Sequence, residues 1–302
     1  MRDDRRLETS KHPRNAIQLL LESRGLSPRK IFGQNFMADS NFAAAIARDA
    51  KLDAATLAIE AGPGTGLLTR AMLDSHPNAR VLAIEIDRGL AALLRETFAV
   101  EIASKRFTLL EGDALESKRR ISDALCAEAQ SISACENRSR KILCANLPYN
   151  IATPVLANLA ADEQNLGVQF ALVTIQLELA QRMTASPASD SYGALSAFLA
   201  LRSTARIARR AGPEIFWPRP NVESAVLELN FKSWPESQRI DALSRMECPA
   251  FQEFLKKVFA QRRKTLRALL KPVPVPALPG VSPDARAEAL TPAQLLAVFR
   301  AL

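Results

Sequence analysis

The run Leu57-Ala58-Ile59-Glu60-Ala61-Gly62-Pro63-Gly64-Thr65-Gly66-Leu67-Leu68-Thr69-Arg70 decides how the rest of the chain is read. An apolar run, a glycine-rich turn and a second apolar start predict a buried strand, a tight turn and a helix. Glycines there let the backbone approach a ligand closely. The spacing is Gly-x-Gly-x-Gly, without the GxGxxG dinucleotide fingerprint, and no Gly-Lys-Ser/Thr follows, which excludes a phosphate-cradling P-loop. Outward from this unit the same alternation repeats. Strands are predicted at Val81–Ile84, Phe107–Leu110, Ile142–Ala145 and Val168–Ile175, and helices at Arg88–Phe98, Pro154–Ala161 and Leu177–Met183. That pattern means an α/β fold: a parallel sheet covered by helices on both faces, with ligands at the carboxyl ends of the strands. Four such ends carry candidate residues: Gly62–Gly66, Glu85, Asp113 and Asn146.

Upstream, Asn15–Ser23 reads as a short helix stopped at Gly25. Arg29–Met37 holds basic, aromatic and amide residues, and reads either as a loop packing Phe32 and Phe36 or as a lid over a ligand. Asp39 is placed to cap the next helix. Glu116–Arg140 is polar with no evident core face, and reads as a helix plus a surface insertion. Thr204–Ile207 and Ser224–Leu229 are strand-like, and between them prolines stiffen a loop carrying Phe216 and Trp217. Glu247–Leu270 reads as one long helix with an apolar stripe of Phe251, Phe254, Leu255 and Val258. Lys256, Lys257, Arg262, Arg263, Lys264 and Arg267 crowd its remaining surface. Lys271–Pro283 is a proline-rich connector, followed by closing helices at Pro283–Leu290 and Pro292–Leu302. Three units are expected: an extension over 1–30, a catalytic domain over 31–232 and a small all-α domain over 233–302.

Of 302 residues 48% are hydrophobic, enough for a substantial core. The net charge of +8 favours a polyanionic partner, nucleic acid first. No apolar run approaches the roughly 18 residues of a membrane span, and no apolar h-region follows the charged N-terminus. The four cysteines lack CxxC spacing and read as reduced thiols of a cytoplasmic protein, not as a disulfide frame or zinc site. With only His12 and His76, no histidine-based metal site is expected.

Glu85 stands about twenty residues past the turn, where a carboxylate accepts both hydroxyls of a ribose. Asp113 can accept the exocyclic amine of an adenine. With no phosphate-binding feature, this set suits S-adenosylmethionine better than a nicotinamide dinucleotide; the competing reading of each carboxylate is a helix N-cap. Asn146-Leu147-Pro148-Tyr149 offers an amide oxygen, a carbonyl positioned by proline and an aromatic face. It reads either as a plain strand-end turn or as a holder for an exocyclic amine aimed at the methyl donor.

Eight motifs in order carry a resemblance. They are Phe32–Phe36, Glu60–Gly64, Ile84–Asp87, Gly112–Ala114, Asn146–Ile151, Tyr192–Ser196, Pro218–Val226 and Phe259–Arg267. Through them the chain, from about Lys30 to Leu302, resembles the small-subunit ribosomal RNA adenine dimethyltransferases. The resemblance implies a Rossmann-like class I methyltransferase sheet and transfer of four methyls from S-adenosylmethionine to the N6 atoms of two adjacent adenosines near the 3′ end of that RNA. The implied partner is small-subunit RNA in an immature 30S-type particle, met by a monomer. It places the cofactor on Asn35, Met37, Gly62, Gly64, Glu85, Asp113 and Asn146, and the target base on Asn146, Leu147, Pro148, Tyr149 and Phe216. RNA phosphates fall to Arg262, Arg263, Lys264 and Arg267. Met37 departs from the family's usual leucine, which a backbone contact tolerates. Two alternatives stay in view: a resistance-type methyltransferase of large-subunit RNA, and a non-catalytic RNA-binding factor.

Overall fold

The computed structural model describes residues 13–162, 164–231 and 243–302. His12 and the expected boundary at 232/233 lie outside them. The first elements are α1 (Pro13–Ser23), β1 (Phe36–Met37), α2 (Ser40–Ala50), β2 (Thr56–Ala61), α3 (Leu67–Ser75) and β3 (Arg80–Glu85). Then come α4 (Arg88–Thr97), α5 (Ala99–Ala103), β4 (Phe107–Glu111), β5 (Leu115–Ser117), β6 (Arg120–Ile121), α6 (Asp123–Cys135) and β7 (Arg140–Asn146). After these the chain forms α7 (Tyr149–Ala161), β8 (Val168–Gln176), α8 (Leu177–Met183), α9 (Ala194–Arg202), β9 (Ser203–Ala211), β10 (Phe216–Trp217) and β11 (Ser224–Phe231). The last helices are α10 (Cys248–Phe259), α11 (Leu266–Leu270) and α12 (Pro292–Arg300).

The central sheet runs β4-β3-β2-β7-β8-β11-β9. Its first five strands are parallel, as the alternation predicts. One strand corrects that expectation: β11 runs antiparallel to both β8 and β9. The chain reaches the edge as β9, turns through β10 and returns between β9 and β8. Strands buried on both faces read as nearly continuous apolar runs, and their side chains still sort with period two. Leu57, Ile59, Leu82, Ile84, Leu143 and Ala145 enter one core layer. Ala58, Val81, Ala83, Ile142 and Cys144 enter the other.

Three other expectations are corrected. The polar segment after β4 is a small hairpin followed by α6, which does have a core face of Leu125, Cys126, Ala129 and Ile132. Small residues in that face hid its period. The long helix predicted over Glu247–Leu270 is broken after Phe259 and restarts at Leu266, with Thr265 as the new cap. A continuous helix would have turned the amides of Leu266 and Arg267 back on the preceding turn. They bond instead to the carbonyls of Ala285 and Pro283, both at 2.9 Å. Those carbonyls are in turn unavailable to a helix over Pro283–Leu290, where a single 3-10 turn, Ala287–Ala289, forms.

The C-terminal helices do not stand apart. α10 and α12 pack on α9, Phe251 meets Phe299 edge-on at 5.3 Å, and the buried Tyr192 hydroxyl donates to the Leu290 carbonyl at 3.0 Å. One apolar cluster runs unbroken from Leu57 of β2 to Val298 of α12. No helix among the described residues is long and apolar enough to cross a membrane.

Candidate active site

The parallel strands all end on one edge, where an open cleft lies. Its lining includes Asn35, Gly62, Glu85, Asp113, Asn146 and Tyr149. Met37, Gly64, Leu147, Pro148 and Phe216 line it too, so every residue singled out for cofactor or base reaches this one space.

The glycine turn is shaped by its backbone. Gly62 and Gly64 have φ of +72° and +59°, the left-handed region that glycine tolerates. A Cβ on Gly64 would sit 2.9 Å from the Phe36 ring. The missing side chain therefore brings the turn against β1. Glu85 ends β3 and is 3% exposed. Its two oxygens accept the N–H groups of Gly64 at 3.0 Å and Asp87 at 2.9 Å. Burial raises its pKa; the N–H bonds oppose that by stabilising the carboxylate. The capping alternative for Glu85 does not hold, since the side chain capping α4 is Asp87. Asp113 accepts the Leu115 N–H at 2.9 Å in a local turn and does not cap a helix. Its carboxylate keeps further acceptor capacity at the cleft.

Asn146 ends β7. Its Nδ2 donates to the Asn35 carbonyl at 2.9 Å. This fixes the amide, and no other described residue donates to Oδ1. The Pro148 carbonyl accepts from Ile151 and Ala152, each at 3.1 Å, as the start of α7. The turn could present the carbonyl of Leu147 or of Pro148, and that of Leu147 is therefore the one left for a ligand. Tyr149 is half-buried at the start of α7 and shares a 3.1 Å hydrogen bond with Ser224. Phe216 pairs with Met37 in the short β1–β10 ladder. Its ring is 1% exposed, so it forms wall, not an open platform.

The cationic residues lie elsewhere. Gln261–Lys264 falls in the loop between α10 and α11. Arg262 pairs with Glu288 at 2.9 Å and donates to the Asp190 carbonyl at 2.7 Å. Arg267 pairs with Asp284 at 3.0 Å. Arg263 and Lys264 are exposed and form no ion pair among the described residues.

The sequence reading passed over Glu60, though a carboxylate inside an apolar strand is a visible signal. It is fully buried, lines the cleft and accepts from Thr69 Oγ1 at 2.5 Å. Burial, with help from the nearby Glu85 charge, pushes its pKa from 4.5 to about 8. The folded protein thus holds a proton that the unfolded chain has released, and stability falls as pH rises from about 4.5 to about 8. Glu60→Gln should flatten that fall by one proton's worth of slope, read from urea midpoints across the range. An unchanged profile would mean that Glu60 is ionised in the folded state.

A family model described as ribosomal RNA adenine dimethylase matches residues 25–302. The ribosomal RNA small subunit methyltransferase A of Bifidobacterium longum (strain NCC 2705) is 35% identical over 296 residues, covering 95% of this chain and 92% of that one. The protein of the same name from Streptomyces coelicolor is 36% identical over 285 residues, covering 91% of each. Among solved structures, a dimethyladenosine transferase from Plasmodium falciparum aligns with a TM-score of 0.65 at 20% identity, covering 87% of this chain and 95% of that one. The 23S rRNA methyltransferase ErmE aligns at 0.60 and 22%, covering 88% and 98%. At such identities the structures speak for the fold: a class I methyltransferase sheet. The family match and the relatives' identity over most of both chains carry more, and by them the chain belongs to the ribosomal RNA adenine dimethylase family.

Proposed function

We propose that the protein transfers methyl groups from S-adenosylmethionine to the N6 atoms of two adjacent adenosines near the 3′ end of small-subunit ribosomal RNA. It acts as a cytoplasmic monomer on an immature 30S-type particle. The observation that carries this reading is the acceptor pair at the end of β7. Asn146 and Leu147 line the same cleft as Glu85 and the glycine turn, and with Nδ2 held by the Asn35 carbonyl no other described residue donates to Asn146 Oδ1.

The residues present fit the cofactor. Glu85 retains lone pairs toward the cleft for two ribose hydroxyls after its two N–H bonds. The bare Gly62–Gly64 backbone leaves room beside it, and Asp113 offers an acceptor for the adenine amine. When bound, the cofactor supplies an electrophilic methyl on a sulfonium. The chain's own part is to present the nucleophile. Asn146 Oδ1 and the Leu147 carbonyl accept the two N–H bonds of the amine and so aim its lone pair. As nitrogen becomes positive during transfer, the same two oxygens stabilise the charge. The methylated amine then loses a proton to solvent, so no side-chain base is required. Tyr149 offers a partly open ring against which an unstacked adenine can lie.

Domain roles follow: 31–232 for catalysis and 233–302 for RNA. The free cations of the α10–α11 loop hold phosphates without reading sequence. Arg263→Ala with Lys264→Ala should weaken RNA binding and reduce the salt slope by up to about two. Arg262→Ala should do less, because Glu288 already neutralises that charge. An unchanged slope in the double variant would remove this loop from the interface.

The test of the function is incubation of purified protein with labelled cofactor and unmethylated small subunits, followed by nucleoside mass spectrometry. Dimethyladenosine is the expected product. Methylation confined to large-subunit RNA, or none at all, would overturn the proposal.

A further inference from the structure

One buried carboxylate has no part in the chemistry above. Asp87 is 3% exposed, two residues past Glu85, and is not among the residues lining the cleft. Its Oδ1 accepts the main-chain N–H groups of Gly89 at 2.9 Å and Leu90 at 3.3 Å, capping α4. Its Oδ2 faces the N-terminal segment. There Gln34 Nε2 donates at 3.3 Å and Arg29 Nε lies at 3.5 Å. Gln34 Oε1 in turn accepts the Arg29 N–H at 2.7 Å. The three residues close a ring that ties the segment to the first turn of α4.

A second observation points to the same junction. Gly89 has no left-handed φ, so its backbone makes no demand for glycine. Its surroundings do. A Cβ there would fall 2.4 Å from Leu26 Cδ2 and 3.3 Å from Asp87 Oδ1. Leu26 rests directly on the helix backbone, beside a cluster of Leu21, Phe36, Leu90 and Leu93. Arg24 reinforces the contact with a two-pronged ion pair to Glu96.

From this clasp the chain continues to Asn35, whose carbonyl receives the Asn146 amide at 2.9 Å. We propose that Asp87 is a positioning residue for methyl transfer: by clasping Arg29 and Gln34 it fixes the Asn35 carbonyl, and through it the rotamer of Asn146. The role of Asn146 rests on the function proposed above; the clasp does not. An amide held by a single carbonyl is only as well aimed as the segment that carries that carbonyl. A shift of about 1 Å in such a support costs up to about 10²-fold in rate.

Asp87→Asn separates the two duties of the side chain. Asparagine caps a helix as well as aspartate does, so α4 is kept. Its Nδ2 then confronts the donors of Gln34 and Arg29 and opens the ring. The full-length variant is compared with wild type in single-turnover methylation of unmethylated small subunits at saturating cofactor. Tryptic cleavage after Arg29 and Lys30 and the urea midpoint are followed alongside. The transfer rate should drop between about tenfold and about 10²-fold, cleavage should quicken, and the urea midpoint should stay near wild type. Gly89→Ala should act in the same direction but more weakly, because Leu26 Cδ2 is the end of a side chain that can turn aside. Adding Leu26→Ala relieves the overlap and should restore part of the rate that Gly89→Ala loses. Wild-type rate and cleavage in Asp87→Asn would overturn the proposal, as would a Gly89→Ala defect that Leu26→Ala leaves untouched. An inactive wild-type protein would strike at the proposed function, whereas the cleavage arm still decides the clasp.

Discussion

Glu85→Ala should abolish measurable cofactor binding while leaving RNA affinity close to wild type. Two ribose hydroxyls donating to an ionised carboxylate are each worth about 1.5–3 kcal/mol, so losing both weakens binding by about 10²- to 10⁴-fold. The substitution also strips the acceptors from the Gly64 and Asp87 N–H groups, so the glycine turn relaxes and the thermal midpoint falls. Titration calorimetry with cofactor reads the first effect, and filter binding of RNA reads the control. Unchanged cofactor affinity would refute the ribose assignment. A pH dependence accompanies it. Burial holds the free Glu85 pKa above the ordinary carboxylate value, and hydroxyl donors favour the ionised form. The pKa therefore falls on binding. Affinity should rise with pH from the bound to the free pKa and flatten above it.

Asn146→Ala should leave a folded protein whose single-turnover methylation is slower by about 10²- to 10³-fold, the usual consequence of deleting one preorganised group that meets developing charge. Asn146→Asp should fare little better despite its matching size. The Asn35 carbonyl would then face an oxygen in place of Nδ2, and the amide's fixed orientation would be lost. Rates at saturating RNA and cofactor make the comparison, and a rate within about tenfold of wild type would show that Asn146 is not the amine's principal acceptor. Tyr149→Phe is the informative contrast. It keeps the ring and gives up only the hydroxyl bond to Ser224, so its effect on rate should be small.

The cleft was legible because each of its walls is local. An apolar strand followed at once by Gly62, Glu85, Asp113 or Asn146 announces both the strand and what stands at its end. Features set by distant partners were not. The break in the C-terminal helix depends on amides captured by Pro283 and Ala285. The core face of α6 sets Cys126 and Ala129 between Leu125 and Ile132, and those small side chains blur a helical period. The antiparallel placement of β11 depends on which edge β9 reaches first, and nothing within Ser224–Phe231 encodes that. The same holds for Asp87, which reads locally as an ordinary cap while half its partners lie in the segment before β1.

The apolar cluster that joins the sheet to α10 and α12 limits how this protein can be taken apart. A stop codon ahead of Ser244 would not yield an enzyme merely blind to RNA. It would bare the apolar surface of α9 on which α10 and α12 pack and leave an aggregating chain. The C-terminal helices and the sheet that carries the cleft are thus inherited as one body. The C-terminal unit therefore cannot be shuffled as a separate module.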